Sequence, residues 1–469
     1  MAVAVDRLSL PDAHPRLPTW VRLLDAAALG LIVTAVLLVP GDGVRFAVGP
    51  VRISIVSAAR VAMWAALVIA ARHAFYRTPP LPARVLEGLR SGVAWGDVRF
   101  AALLVLATRV PPILIGLLAV ATIGIAAPVG DQPYDNPLLN LPARWDAIWY
   151  SQIAAFGYSF DGNPLRQQSI VFFPGFPLAI HLVYRFMGGE HLFYVAWAVA
   201  LTAFALAIPR LLRLARHHLD ERAASDSVWL LASYPFAVYF SAPYTEGLFL
   251  LAACAVFLAM HERRFGSAAL WGLAAGLIRP NGWLLAIPIV LLAFHRQPWP
   301  TTVGEWLRRA MPIAAPVAGV LLFTLYLYIE FGDGLVWLKG QAAWGREYRG
   351  LHLFAADRLL YIRDAGFLRY LFDLPIDVLN TAAALLALGL VWPIARRLGP
   401  AYGALVAVMV LPPLLMGGAT SLGRMTSVLF PIFIWLAGQA ERHRTPILVV
   451  FATLQGFTAV LFFTWRELY

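Results

Sequence analysis

Residues 140–175 read NLPARWDAIWYSQIAAFGYSFDGNPLRQQSIVFFPG and lie between long apolar runs. Two acids, Asp146 and Asp161, stand in this stretch among aromatics, prolines and glycines. A carboxylate beside a bilayer is costly, so by default it marks a functional site with a partner. The class of the surrounding chain therefore decides what Asp146 is for.

Composition sets that class. Of 469 residues, 60% are hydrophobic and only 13% are charged, against roughly 25% charged in a soluble globular domain. Mean hydropathy is +0.71. The length would allow two or three soluble domains, but the hydropathy points to one polytopic membrane protein. The net charge of +11 resembles a nucleic-acid signal. Its distribution excludes that: the cations fall in short clusters between apolar runs, the pattern of cytoplasmic loops. Lys339 is the only lysine against 36 arginines, within 37 Lys plus Arg. With abundant alanine, this fits a high-GC, actinobacterial genome. Cys254 is the only cysteine, so no intrachain disulfide or Cys-based metal site can form. Residues 1–23 are polar and proline-bearing and do not read as a cleavable signal.

Spans are expected near 24–40, 56–74, 100–123, 191–209, 226–242, 244–261, 267–279, 281–295, 310–330, 373–394, 401–416, 424–438 and 446–464. Several are shorter than the roughly 20 residues of a full crossing. These come in pairs joined by Pro or Gly, as kinked or partly buried helices do. The basic clusters, among them Arg72, Arg77, Arg84, Arg210, Arg213, Arg216, Arg263, Arg264, Arg308, Arg309, Arg396, Arg397, Arg442 and Arg444, fall on one side with a cytoplasmic N-terminus and about thirteen spans. That parity requires 171–187 (VFFPGFPLAIHLVYRFM) not to cross. Two prolines and the terminal Arg185 make it an interfacial or re-entrant helix. Residues 42–53 alternate as a small hairpin between the first two spans. The expected division is 1–95, with two helices, and 96–469.

Two long loops, 124–190 and 331–372, then lie outside the cytoplasm. The second holds Lys339, Gln341, Trp344, Arg346, Glu347 and Tyr348. Short turns on the same face carry Tyr244 and Glu246, Arg279 and Asn281, and Arg424. Polar groups that the charge rule does not explain thus converge on one membrane face, and this convergence argues for an active site.

Familiar chemistries are missing. The chain has no GxxxxGK[ST], HExxH, CxxC, GxSxG or Asp-x-Asp motif, and its ten histidines are scattered. What remains is a carboxylate, arginines and aromatics. A carboxylate can deprotonate a hydroxyl, arginines hold phosphate through forked hydrogen bonds, and aromatic rings suit sugar faces and the interface. Together these suit transfer of a sugar from a lipid-linked phosphate to an acceptor hydroxyl.

Five blocks carry a resemblance: RWDAIWYSQIAAFGY at 144–158, FFPGFPL at 172–178, SYPFAVYFSAPYTEGLF at 233–249, GLAAGLIRPNGWLL at 272–285 and GRMTSVLFPIF at 423–433. In this order they resemble the PIG-V-like mannosyltransferases, the family of GPI mannosyltransferase 2, in the GT-C glycosyltransferase superfamily. Residues 1–95 depart from the family pattern. The resemblance implies an all-α GT-C fold with about thirteen transmembrane helices and a large first outer loop bearing interfacial helices. It also implies a polyprenyl-phosphate sugar donor, most often mannose, and inverting transfer without a metal or other cofactor. The family's catalytic acid maps onto Asp146 and its neighbour onto Trp145. The YTE and RPNG blocks map onto Tyr244, Thr245, Glu246, Arg279, Pro280, Asn281 and Gly282. The acceptor, a glycolipid or glycan hydroxyl of the cell envelope, does not carry over.

Each residue also has a plainer reading. Asp146 as general base competes with a structural carboxylate paired to Arg144 or capping the helix that begins there. Asp161 before Gly162 reads as a turn residue. Glu246 is a site residue or a cap on the following span. Arg279 and Arg424 hold the donor phosphate or snorkel at helix ends. Gln341 and Trp344 contact a substrate or only pack the loop. Trp145 and Trp149 are interfacial aromatics first. The expected partners are a polyprenyl-phosphate donor, a glycolipid or glycan acceptor and membrane lipids, with no nucleic acid. The expected place is the plasma membrane. Rival readings are a GT-C enzyme for lipid-linked arabinofuranose or glucose, a lipid or sugar transporter, and a non-catalytic scaffold. The transporter is disfavoured because the acids lie at the membrane edge and no inverted repeat is visible.

Overall fold

In hydrocarbon a backbone amide finds a partner only inside its own helix or from a neighbouring side chain, and this chain uses both solutions. The computed structural model describes residues 18–38, 44–48, 51–55, 57–77, 95–126, 132–348, 350–439 and 441–468. The chain divides into two compact units, Met1–Val93 and Ala94–Tyr469.

In the first unit, α1 (Thr19–Leu38) packs on α2 (Ala58–Phe75). Between them β1 (Val44–Val48) and β2 (Val51–Ile55) pair antiparallel, with Val44 opposite Ile55 and Val48 opposite Val51. This is the hairpin that the alternation predicts. The Ser57 hydroxyl caps α2 by accepting from the Arg60 N–H at 3.3 Å. A buried ion pair, Arg72 Nε to Asp25 Oδ1 at 2.9 Å, ties the two helices.

The second unit is all-helical among its described residues. In chain order it runs α3 (Trp95–Thr122), α4 (Asp146–Phe156), α5 (Gly175–Phe186), α6 (Leu192–Arg216), α7 (Glu221–Ala232), α8 (Glu246–His261), α9 (Phe265–Ile278), α10 (Ala286–Phe294), α11 (Val303–Phe331), α12 (Val336–Lys339), α13 (Gly350–Ala365), α14 (Phe367–Asp373), α15 (Pro375–Arg397), α16 (Pro400–Gly417), α17 (Leu422–Thr426), α18 (Phe430–Ala437) and α19 (Glu441–Phe463). Tight 3-10 turns cover Ser169–Val171, Pro235–Ser241, Pro280–Leu285 and Gly340–Trp344. Helix α8 is buried along nearly its whole length and forms the centre of the unit with α6 and α9 on its flanks. Helix α9 crosses α11 closely: a Cβ at Gly276 would collide with the Pro316 carbonyl, and one at Gly319 with the Leu273 carbonyl. Small residues let two backbones touch where apolar burial alone gives no drive.

Among the described residues, six helices are long and apolar enough to cross a membrane: α3, α6, α11, α15, α16 and α19. The segment Pro235–Ser241 with α8 makes a seventh if a pair bent by 100° is one span. The chain is a multi-pass membrane protein, but this count falls short of the thirteen runs read from hydropathy. The runs expected at 226–242 and 424–438 are broken into α7 plus a 3-10 turn and into α17 plus α18. Hydropathy does not register the breaks after Ala232 and after Thr426. The run 171–187 holds only the twelve-residue α5, shorter than the roughly 20 residues of a crossing.

The break before α8 frees several carbonyls, and neighbours satisfy them. Buried Arg109 of α3 donates to the Ala232 and Ala237 carbonyls and to Ser241 Oγ, the last at 3.2 Å. Gln455 Nε2 of α19 reaches the Ala232 carbonyl at 3.0 Å, and Trp197 Nε1 of α6 reaches the Ser241 carbonyl at 2.6 Å. Three helices thereby fix the place where α8 begins.

Candidate active site

Asp146 is the first residue of α4, where the unpaired amides of a helix start favour negative charge. The turn into that helix is made at Trp145, with φ 53° and ψ −125°. A bulky residue holds such a conformation only where its surroundings over-determine it. Here the Trp145 indole N–H donates to the Phe462 carbonyl at 3.1 Å, and its ring meets Trp465 at 4.7 Å. Next to it, Arg144 Nε donates to the Phe463 carbonyl at 2.8 Å and Nη1 to the Asn140 carbonyl at 2.5 Å. The start of the loop helix is therefore anchored to the end of α19. The Asp146 N–H donates to the Tyr244 hydroxyl at 3.0 Å, which joins it to the break before α8.

Arg144 bonds backbone carbonyls, so it is not the partner of Asp146. That partner is Arg424 of α17, whose Nη1 donates to Asp146 Oδ2 at 2.6 Å. Arg424 Nε donates to Glu246 Oε1, and the same oxygen accepts from Arg279 Nη2. Arg279 Nε donates to Thr245 Oγ1 at 2.8 Å. Four side chains from four distant segments thus alternate in sign: Asp146, Arg424, Glu246, Arg279. The Arg424 guanidinium also lies 4.5 Å from the Tyr244 ring centre and 5.3 Å from that of Tyr239, and Arg279 lies 5.3 Å from Phe249. Cation–π contact suits a guanidinium removed from water.

The chain of charges has an inside and an outside. Glu246 has no exposed surface, while the Asp146 side chain keeps 24% of its own. Glu246 Oε2 is buried and has no hydrogen-bond partner among the described residues. Arg279 lies behind Glu246, and Asp146 and Arg424 stand at the rim. Of the two acids, only Asp146 keeps exposed surface.

Short-range geometry places Arg424. Ser421, at φ 61°, turns the chain into α17, and the Asn380 side chain of α15 accepts from the Gly423 N–H at 2.8 Å. The Ser427 hydroxyl bonds the Arg424 carbonyl at 2.6 Å.

The two long loops meet beside Asp146. Trp149, one helical turn on and on the same face of α4, lies 5.8 Å from Phe172 and 5.8 Å from Trp344 between ring centres. Phe172 and Trp344 are edge to face at 5.3 Å. Trp344 Nε1 is buried without a partner among the described residues. The result is an aromatic wall built from both loops, with an indole donor inside it.

Other expected residues are placed differently. Asn281 is not in the charge chain; its amide nitrogen lies 3.5 Å from the Met409 sulfur. Gln341 Nε2 donates to the Trp337 carbonyl at 3.4 Å within its own loop. Asp161 forms a turn: Oδ1 accepts from the Asn163 N–H at 2.9 Å and Gln168 Nε2 at 2.8 Å, and Oδ2 from Arg166 at 3.0 Å. The Asn163 bond foremost, with those of Arg166 and Gln168, holds its carboxyl below the ordinary range.

Sequence reasoning gave no role to Arg346. Its Nη1 donates to the Thr420 carbonyl at 3.1 Å, just ahead of α17. Burial foremost, and then the Arg424 charge, lower its pKa to about 10 against the opposing charge of Asp146. An arginine in a loop on the face otherwise poor in cations is the signal that could have found it. Tyr150 and Tyr239 were also missed; both are buried against Tyr244, at 6.3 and 5.2 Å between ring centres.

Residues 122–297 match the model of the family described as mannosyltransferase (PIG-V). Four of the five blocks quoted above lie within that match, and the block at 423–433 lies beyond it. No curated protein sequence matches the chain. Among solved structures it is similar to ArnT from Cupriavidus metallidurans bound to undecaprenyl phosphate. That similarity has 14% identity and a TM-score of 0.42, over 74% of this chain and 62% of that one. It is also similar to the archaeal oligosaccharyltransferase AglB from Archaeoglobus fulgidus, in complex with an inhibitory peptide and a dolichol-phosphate. There the identity is 12% and the TM-score 0.38, over 78% of this chain and 56% of that one. The chain thus spans less than two thirds of either, and similarities of this size carry no functional argument.

Proposed function

With residues 122–297 matching the mannosyltransferase (PIG-V) family, we propose that this chain is a metal-independent membrane glycosyltransferase of GT-C type. It moves a sugar, mannose, from a polyprenyl-phosphate donor to a hydroxyl of a glycolipid or glycan on the extracytoplasmic face of the plasma membrane. The observation that carries this reading is the 2.6 Å contact between Asp146 and Arg424 at the rim, with Glu246 and Arg279 locked behind it. A carboxylate that can meet substrate is thereby held beside a guanidinium, and base and phosphate ligand are what the reaction needs.

In this mechanism the acceptor hydroxyl gives its proton to Asp146, and its oxygen attacks the anomeric carbon from the face opposite the phosphate. The bond from the anomeric carbon to the phosphate oxygen breaks, and the electron pair leaves with the polyprenyl phosphate. A β-linked donor gives an α-linked product. Arg424 steadies the developing phosphate charge, assisted by Arg346 from the second loop, through charge-assisted hydrogen bonds. Arg279 acts from behind by holding Glu246, which fixes Arg424. Trp149 and Trp344 offer ring faces to a sugar.

The test is sugar transfer by the purified protein in lipid. Radiolabelled polyprenyl-phosphate mannose, arabinofuranose and glucose are offered in parallel to an envelope lipid extract. Label entering a product from the mannose donor only, with an inverted linkage, supports the reading. Transfer from another donor alone would replace the sugar. No donor binding at all would reject a transferase.

A further inference from the structure

The far end of the helices carries a second feature that transfer chemistry does not use. Helix α8 begins at Glu246 and ends at His261, and sixteen residues at 1.5 Å rise place its ends about 24 Å apart. Around His261 an open cavity of about 310 Å³ is formed where helices start and stop: the end of α8, the α8–α9 turn, the end of α10, the first turns of α11 and the start of α16.

Its charge is one-sided. Arg263, Arg308, Arg309, His261 and His295 line it, and Glu305 is the one acid among the lining residues. That carboxylate is already engaged, accepting from the Thr301 N–H at 2.8 Å. Among the described residues, none of Arg263, Arg308 and Arg309 is in an ion pair. Arg263 donates to the Gln297 side chain at 2.9 Å and Arg309 to the Ala293 carbonyl at 3.0 Å, while Arg308 lies over the Phe265 ring at 5.6 Å. Other arginines at this end are neutralised: Arg213 meets Glu262 at 2.6 Å, Arg216 meets Asp97 at 2.8 Å, and Arg444 meets Asp226 at 3.0 Å.

Two further observations define the ligand. The eighteen-residue α16 begins in the cavity wall at Pro400, and no side chain caps it, so its positive end adds to the cationic field. Beside the cavity, Phe294 packs on Trp299 and Trp306, at 5.7 and 5.6 Å between ring centres. Both tryptophans are exposed, at 71% and 44%. Exposed indoles at helix ends sit at the level of lipid headgroups. Forked cations lining a cavity at that level fit a phosphate.

We propose that this cavity binds the phosphate of an anionic lipid headgroup, at the end of the helices opposite Asp146. The proposal is independent of the transfer reaction. The volume suits a headgroup, since ligand pockets run from about 300 Å³ upward. These arginines, none in an ion pair among the described residues, then gain an anionic partner in the membrane.

Native mass spectrometry of the full-length protein released from nanodiscs tests this, with phosphatidylglycerol as probe against phosphatidylcholine. Wild type retains one phosphatidylglycerol more than Arg308→Gln/Arg309→Gln, whose affinity falls about thirty-fold, or about 2 kcal/mol, for two basic groups. Arg396→Gln, an exposed arginine on α15 that does not line the cavity, keeps the lipid. Should the double variant melt at a lower temperature, Arg308→Gln alone serves, because its guanidinium makes no hydrogen bond among the described residues, and about a five-fold loss is expected. Equal retention by wild type and variants overturns the proposal, as does equal loss in Arg396→Gln, which would mean diffuse charge. Displacement of the lipid by millimolar inorganic phosphate would keep the phosphate site and overturn the lipid as its occupant.

Discussion

The two ends of the helical unit use the same side chain in opposite ways. At the Asp146 end, Arg279 and Arg424 are held by two carboxylates and by aromatic faces. At the other end, Arg263, Arg308 and Arg309 face an open cavity with one acid, already bonded elsewhere. Burial explains the difference. A guanidinium taken out of water needs its donors satisfied, by carboxylates as at Arg279 and Arg424 or by backbone carbonyls as at Arg109 and Arg144, whereas one at a wet rim keeps its hydration and stays available. In a membrane protein, arginines that line an open cavity without acids are thus the better indicator of an anion from outside the chain. Arginines with acids indicate a site whose geometry is fixed in advance.

This contrast can be broken experimentally. The largest effect is expected for Asp146→Asn, which keeps shape and removes the base. Sugar transfer should fall by about 10²- to 10⁴-fold while the melting temperature in detergent holds; retained turnover would take the base role from Asp146. Glu246→Gln attacks the same network from inside. It leaves Arg279 without an acid and Arg424 with Asp146 alone, and should lower unfolding free energy by about 3–5 kcal/mol. The paired variant Glu246→Gln/Arg279→Gln should recover part of that loss, and a double variant no better than the single would mean that the two do not act together. Arg424→Lys keeps charge but loses the fork that bridges both acids. A drop in kcat of roughly ten-fold or more, for one or two charge-assisted hydrogen bonds at about 1.5–3 kcal/mol each, with little change in melting, would place Arg424 in the reaction. Trp344→Ala should raise KM by about three- to ten-fold, the scale of one aromatic contact, and leave kcat near wild type. The smallest effect belongs to the far end: Arg308→Gln orphans no partner, so in neutral lipid both stability, within about 0.5 kcal/mol, and transfer should match wild type. A stability loss there like that of Glu246→Gln would erase the contrast.

What the sequence made legible follows the physics of each signal. Uninterrupted apolar runs gave α3, α6, α11, α15, α16 and α19 nearly at their true places, because length and hydropathy are what a crossing requires. The broken segments were not legible: α7 ends at Ala232 and α17 at Thr426 inside runs that read as single spans, and the side chains of Arg109, Gln455, Trp197 and Thr458 help make the first break tolerable. For the site, the blocks named Asp146, Tyr244, Glu246 and Arg279, the charge pattern named Arg424, and the fold brings all five together. It does not do so for Asn281, which faces Met409, or Gln341, which bonds its own loop. The pairing order was hidden as well. Asp146 has an arginine two residues away in sequence, yet its partner is 278 residues distant. Local spacing cannot choose between them when the nearer one is consumed by backbone carbonyls.

The turn at Trp145 has a consequence for biosynthesis. Its strained backbone is held by the Phe462 carbonyl, and Arg144 by the Phe463 carbonyl, 319 residues further on. A ribosome delivers the chain in order, so the loop bearing Asp146 emerges long before the helix that seats it. Until α19 is threaded, neither anchor exists, and contacts of such long range form late because loop closure must come first. While α19 is still missing, the growing chain thus has most of its helices and a carboxylate not yet set, and the arrival of α19 is what seats the turn that carries Asp146.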